Sequence, residues 1–217
     1  MRHNFWPIIL PLLGLTMGLG TIANAQDAAS GSAPTQRPPI NPDRPGYTNG
    51  SDTVDPGQVV VEMGATQTRA QDGSVTDDYP EAEVRLGVGS DLEAEVFLPN
   101  DFRTHGGSKG VGDALVGGKW RFYKSKNGAV RLSAAPYLSI PARGAFGTGR
   151  VDPSLILGAE TSSGSRWDVQ GNLDLSAPTQ SDGSRLFTVT PAAAVAYTLT
   201  PTLTVFGDAY DIVPRQG

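Results

Sequence analysis

The stretch YPEAEVRLGVGSDLEAEVFL, residues 79–98, constrains the fold more than any other part of the chain. Side chains alternate between the two faces of a β-strand. Ala82, Val84, Leu86 and Val88 therefore share one face, and Glu81, Glu83, Arg85 and Gly87 the other. After the turn signal Gly89-Ser90-Asp91, the pattern resumes with Leu92, Ala94, Val96 and Leu98 opposed to Glu93, Glu95 and Phe97. This is a hairpin with one apolar and one charged face. It suits a water-soluble sandwich, or a membrane barrel whose apolar face meets lipid.

The same alternation recurs along the chain. Strands are predicted over about residues 58–68, 82–88, 92–98, 111–123, 129–140, 150–161, 167–176, 186–198 and 202–210. The clearest, 167–176, sets Trp167, Val169, Leu173 and Leu175 against Asp168, Gln170, Asn172 and Asp174. No window competes as a helix. The connections alternate too. Those at 89–91, 125–128, 162–165 and 200–201 are short, whereas those at 71–78, 100–110, 141–149 and 177–184 are longer and polar. Strict short-long alternation is what an up-and-down barrel of an outer membrane shows, with turns on the periplasmic side and loops outside. A Greek-key sandwich has no reason to produce it.

The aromatic side chains Trp120, Phe122, Trp167 and Tyr197 fall on the apolar face near the short turns, where an interfacial girdle belongs. The opposite face carries Glu62, Glu83, Arg85, Glu93, Glu95, Asp113, Lys119, Arg121, Arg131, Asp168 and Asp174, the candidate lumen-lining residues. They are too many for a soluble core. Glu83, Glu93 and Glu95 are placed to meet Arg85, Lys119, Arg121 and Arg131 as cross-strand pairs. Such pairs satisfy a narrow interior, and they also set pore width and charge preference.

Residues 1–25 have the form of a cleaved export signal: Arg2, an uncharged apolar run, then Ala23-Asn24-Ala25. Its removal takes one basic residue from 17 and leaves 22 acidic ones, a net charge of −6. That balance, without a basic tract, argues against nucleic acid. With no cysteine in the chain, burial and backbone pairing alone must hold the fold. Residues 26–56, rich in Pro, Gly and Ser, read as a flexible arm. Residues 57–217 read as the barrel domain.

Several sites weigh against chemistry. His105 lies in a polar loop with no serine and acid at triad spacing. The stretch 106–110 lacks the order of a phosphate loop, and Gly87-Val88-Gly89 is turn chemistry rather than a dinucleotide fingerprint. Asp72, Asp77 and Asp78 lack EF-hand spacing. No enzyme activity, cofactor or metal is expected.

The motifs Asp43-Arg44-Pro45-Gly46-Tyr47-Thr48, Val54-Asp55-Pro56-Gly57-Gln58 with Glu62, Gly110-Val111-Gly112-Asp113 with Lys119, and Gly207-Asp208-Ala209-Tyr210 resemble the outer-membrane transporter family named for the meta-pathway of phenol degradation. The resemblance implies an all-β, antiparallel, up-and-down transmembrane barrel that passes small aromatic or apolar compounds. It implies no catalytic residue. Nine visible strands, against the even number of bacterial barrels, lead to the expectation of a C-terminally incomplete fragment of a 10–12-stranded barrel. The expected setting is the outer membrane of a Gram-negative bacterium, with membrane lipid, a small solute and the barrel-assembly machinery as partners. A non-conducting envelope or adhesion barrel, and a soluble periplasmic barrel with an apolar ligand inside, are the alternatives.

Overall fold

The computed structural model describes residues 43, 47–70, 72–142, 146–161, 166–180, 182–200 and 203–215. The expected export signal, the first part of the arm and the turn at 162–165 lie outside the described residues. Among them the chain is all-β. Its strands are β1 Val59–Glu62, β2 Thr66–Arg69, β3 Val75–Tyr79, β4 Glu83–Gly89, β5 Leu92–Phe97, β6 Asp101–Thr104 and β7 Lys109–Val111. They continue with β8 Ala114–Lys124, β9 Val130–Ile140, β10 Pro153–Thr161, β11 Trp167–Ser176, β12 Phe187–Thr200, β13 Leu203–Tyr210 and β14 Val213–Arg215.

One large antiparallel sheet runs β1-β4-β5-β8-β9-β10-β11-β12-β13, with β14 continuing the last stave along β12. Each stave pairs with its neighbour in the chain, so the topology is up-and-down, as the alternating connections predict. The nine expected strands are all present, and β11 has the predicted ends.

A second sheet, β2-β3-β6-β7, was not foreseen. Its order repeats that of β1-β4-β5-β8, so the first four staves run past a break and go on as a small sheet at the long-loop end. Residues 71–78 and 100–110, expected as loops, therefore carry much of this sheet: most of β3, all of β6 and most of β7. The reason lies in its environment. Every residue of β2 is exposed and every residue of β3 half-buried. β2 falls within the expected first strand, 58–68, whereas β3, β6 and β7 carry no apolar alternation to read. At the break, Gly64 and Glu81 exchange backbone hydrogen bonds of 3.1 and 2.9 Å. Ala82, placed by the alternation on the apolar outer face, is buried beside Glu83, because β4 begins only at Glu83.

The short turns keep the expected chemistry where they are described. Gly128 closes the β8–β9 turn by donating to the Ser125 carbonyl at 2.8 Å with a φ of 69°, a conformation that favours glycine. At the other end, Asp113 accepts hydrogen bonds from the Ala142 amide (2.7 Å) and from the Thr148 amide and hydroxyl (3.0 and 2.7 Å). Asp152 holds the Thr179 amide and hydroxyl at 2.9 and 2.6 Å. These carboxylates tie the long connections to one another.

The large sheet is curled. The Asp43 amide lies 3.4 Å from Glu62 Oε1 on β1, and the Tyr47 amide lies 2.6 Å from Asp208 Oδ2 on β13. Four peptide steps reach at most about 14 Å, and the two carboxylate side chains add under about 10 Å between them. A flat nine-strand sheet would separate β1 from β13 by about 38 Å. The two edges must therefore bend toward each other around this segment. No ladder joins β1 to β13 among the described residues.

Candidate functional site: a charged interior crossed by the N-terminal arm

Curling decides which face is enclosed, and it is the charged one. The large side chains buried most completely are Arg85, Lys119, Glu83, Glu93 and Glu95, together with Ser51. The apolar face is turned out: Val59, Val61, Leu86, Val88, Leu92, Val96, Val116, Leu138, Leu173 and Val195 are all exposed. Trp120, Phe122 and Trp167 are exposed on that face, while Tyr197 is half-buried against Trp167 with ring centroids 4.6 Å apart. Trp120 packs on Phe122 at 5.7 Å.

The ion pairs follow from sheet register. Glu93 stands opposite Lys119 across β5–β8, and their ion pair is 3.2 Å. Arg85 stands opposite Glu95 but reaches diagonally to Glu93, at 2.9 Å, and to Glu62 on β1, at 3.0 Å. Lys119 also meets Glu95 at 3.3 Å. The Tyr137 hydroxyl on β9 donates to the second Glu95 oxygen.

The remaining lumen candidates separate into groups. Arg131 pairs with Glu160 at 2.5 Å and with Asp52 at 3.3 Å. Arg121 sits at the short-turn end on Asp91 and Asp52, both at 2.8 Å. Neither meets the three glutamates proposed as partners. Asp113 binds Ala142 and Thr148, as described above. Asp168 and Asp174 on β11 are half-buried, and each has one carboxylate oxygen with no hydrogen-bond partner among the described residues. His105 lies on the outer sheet with Nε2 2.8 Å from Asp77 Oδ2, both partly exposed.

The arm supplies what the strands lack. Asp43 Oδ2 lies 2.5 Å from Lys119 Nζ and 3.4 Å from Arg85, while its Oδ1 accepts from the Gly50 amide at 2.8 Å. Thr48 donates to Gln170 (3.0 Å), the Asn49 amide to Asn172 (2.9 Å), the Ser51 amide to Glu160 (2.7 Å) and the Val54 amide to Glu93 (2.5 Å). Tyr47 stacks on Tyr210 with centroids 3.9 Å apart. Residues 47–56, read from composition as flexible, thus cross the interior, with bends at Tyr47, Thr48 and Ser51. The cause is chemical: buried carboxylates need donors, and a polar segment outside any strand ladder has backbone amides free to supply them.

Two interior glycines record how close the arm comes. A Cβ on Gly87 would stand 2.0 Å from the Asp55 carbonyl oxygen, and one on Gly158 would stand 3.0 Å from the Ser51 hydroxyl. The signal was available in the sequence: a glycine replaces a larger residue on the polar face of β4 and again on β10. It marks close approach of another backbone, although nothing local says which backbone.

Comparison with known proteins finds no match among curated proteins or solved structures. A family model does match, over residues 42–213, and it begins beside Asp43, so the interior-crossing segment belongs to the matched unit. The chain belongs to the family described as "Putative MetA-pathway of phenol degradation".

Proposed function

We propose that this protein is an outer-membrane β-barrel that lets small aromatic or apolar compounds cross passively, with no covalent chemistry and no cofactor. One observation carries the reading, the inverted distribution of polarity. Among the described residues, 27 large apolar or aromatic side chains are exposed, while the large, fully buried side chains are charged. Leaving such a side chain in water costs about 1.5–3 kcal/mol, so in water this surface would cost tens of kcal/mol. A lipid surround removes that cost, and the antiparallel ladder pairs every strand of the large sheet between β1 and β13 on both sides. The strands β8 to β12 have 11, 11, 9, 10 and 14 residues. A spanning strand needs about 9–11. The soluble alternative required the opposite burial of the two faces.

The route proposed for a solute is the interior, where Asp168 and Asp174 on β11 each keep a carboxylate oxygen with no hydrogen-bond partner among the described residues. Ion pairs fill the β1–β8 side, and the arm lies against β11 and β13 as well as β5. An export signal at residues 1–25, a Gram-negative outer membrane and assembly by the barrel-insertion machinery complete the proposal. The position of the arm favours one competing reading, a non-conducting envelope barrel. Planar-bilayer conductance and phenol entry into liposomes, measured for the full chain and for Gly87→Val, separate the two. The expected result is weak or infrequent conductance in the full chain and a clear increase in the variant. No current and no flux from either would establish the non-conducting reading.

A further inference from the structure

Five buried carboxylates, Asp43, Glu62, Glu83, Glu93 and Glu95, share two buried cations, Arg85 and Lys119. If all are ionised, the cluster carries a surplus of three negative charges. Arg85 is already engaged by Asp43, Glu62 and Glu93, and Lys119 by Asp43, Glu93 and Glu95. Glu83 is left out. It is 1% exposed, and its Oε1 has no hydrogen-bond partner among the described residues. Glu95 Oε1, which pairs with Lys119 at 3.3 Å, also has no hydrogen-bond partner among the described residues.

Unbalanced buried charge is expensive, and the geometry offers a remedy. One carboxylate oxygen from each of Asp43, Glu83 and Glu95 lies within 4.8 Å of the others. Oxygens held about 2.4 Å from a single calcium ion are at most about 4.8 Å apart, so one ion of that size can touch all three. The donors are hard oxygens only, which suits calcium or magnesium rather than zinc or copper.

We propose that Asp43, Glu83 and Glu95 bind one hard divalent cation, calcium by size, with water completing its shell. The ion fastens the arm, through Asp43, to β4 and β5. The inference rests on the interior being enclosed and reachable by water, and is independent of solute passage.

The test uses the full chain, refolded into detergent micelles without lipopolysaccharide and stripped with EDTA. Equilibrium dialysis against Ca2+ and Mg2+ should find one bound Ca2+ per chain, with weaker Mg2+ binding, and Ca2+ should raise Tm. Glu83→Gln should weaken Ca2+ binding at least ten-fold, whereas Asp72→Asn with Asp77→Asn in the outer sheet should leave it unchanged. Absence of bound Ca2+ at millimolar concentration, or equal binding by Glu83→Gln, would overturn the site. Should Glu83→Gln fail to fold, limited proteolysis of the unaltered chain decides. Protection of residues 43–56 by Ca2+ relative to EDTA is expected, and identical cleavage overturns the fastening. Conductance is measured on the same preparation. A chain that conducts but binds no Ca2+ loses the site and keeps the channel, and one that binds Ca2+ without conducting keeps the site alone.

Discussion

Lys119 is the residue on which the interior charge balance turns. It is 1% exposed and lies within 3.3 Å of carboxylate oxygens from Asp43, Glu93 and Glu95. Removing one partner of a buried ionic set costs about 3–5 kcal/mol, because the other charges remain buried and uncompensated. Lys119→Met should therefore lower unfolding free energy by about that amount, read from urea denaturation in lipid vesicles. The outer carboxylates behave differently. Hydrogen bonds from Ser74 hold Asp72 below the ordinary carboxylate range, and those from Ser184 do the same for Asp182. Asp77 is lowered first by Gln67 and then by His105. A lowered folded value means that the contribution is complete above the unfolded value of about 4 and is lost as pH falls through the folded value. Amide protection at Ser74 and Ser184, which donate to Asp72 and Asp182 at 2.9 Å, should fall as the solution is acidified below about pH 4. The Gly128 amide, bound to a carbonyl, should not respond.

At the scale of elements, the distinction is between staves with one apolar face and extensions with none. Leu173, on β11, is exposed on the apolar face; Thr68, on β2, is exposed in a sheet that is wet throughout. Arginine facing lipid near the bilayer centre costs about 2–4 kcal/mol, whereas a solvent-exposed substitution usually stays within about 0.5 kcal/mol. Leu173→Arg should thus impair folding into vesicles by the larger amount and Thr68→Arg should be nearly silent. Equal effects of the two would remove the membrane reading of β11. The same distinction explains what was legible. The staves were found because their faces alternate, β2 was read only as the end of the first stave, and β3, β6 and most of β7 were missed because theirs do not.

For the whole molecule, the arm and the curl of the sheet are one feature. A segment that touches Glu62 on β1, Glu93 on β5, Glu160 on β10 and Asp208 on β13 can exist only inside a rolled sheet. The ladders of that sheet do not depend on the arm. Gly87→Val places side-chain carbon where the Asp55 carbonyl lies, so it should expel this part of the arm and leave the staves intact. Protease should then cut within residues 47–56 while the strand core resists. Unchanged protection would mean that the interior accommodates the added side chain without moving the arm.

Sequence alone determined the staves of the large sheet and which of their faces is apolar, because β-structure alternates with a period of two. Tertiary structure alone decided what lies within. Hydrogen bonds such as that from Tyr47 to Asp208, 161 residues apart, form only after the sheet has rolled. No local pattern marks them, since Asp43, Ser51 and Val54 have the same composition in a loose linker as in a segment held by buried carboxylates. The motif around Asp43 and Tyr47 was visible as a resemblance. Its work, supplying backbone donors and one carboxylate to a charged interior, became visible only when the strands that carry Glu93, Lys119 and Glu160 were brought around it.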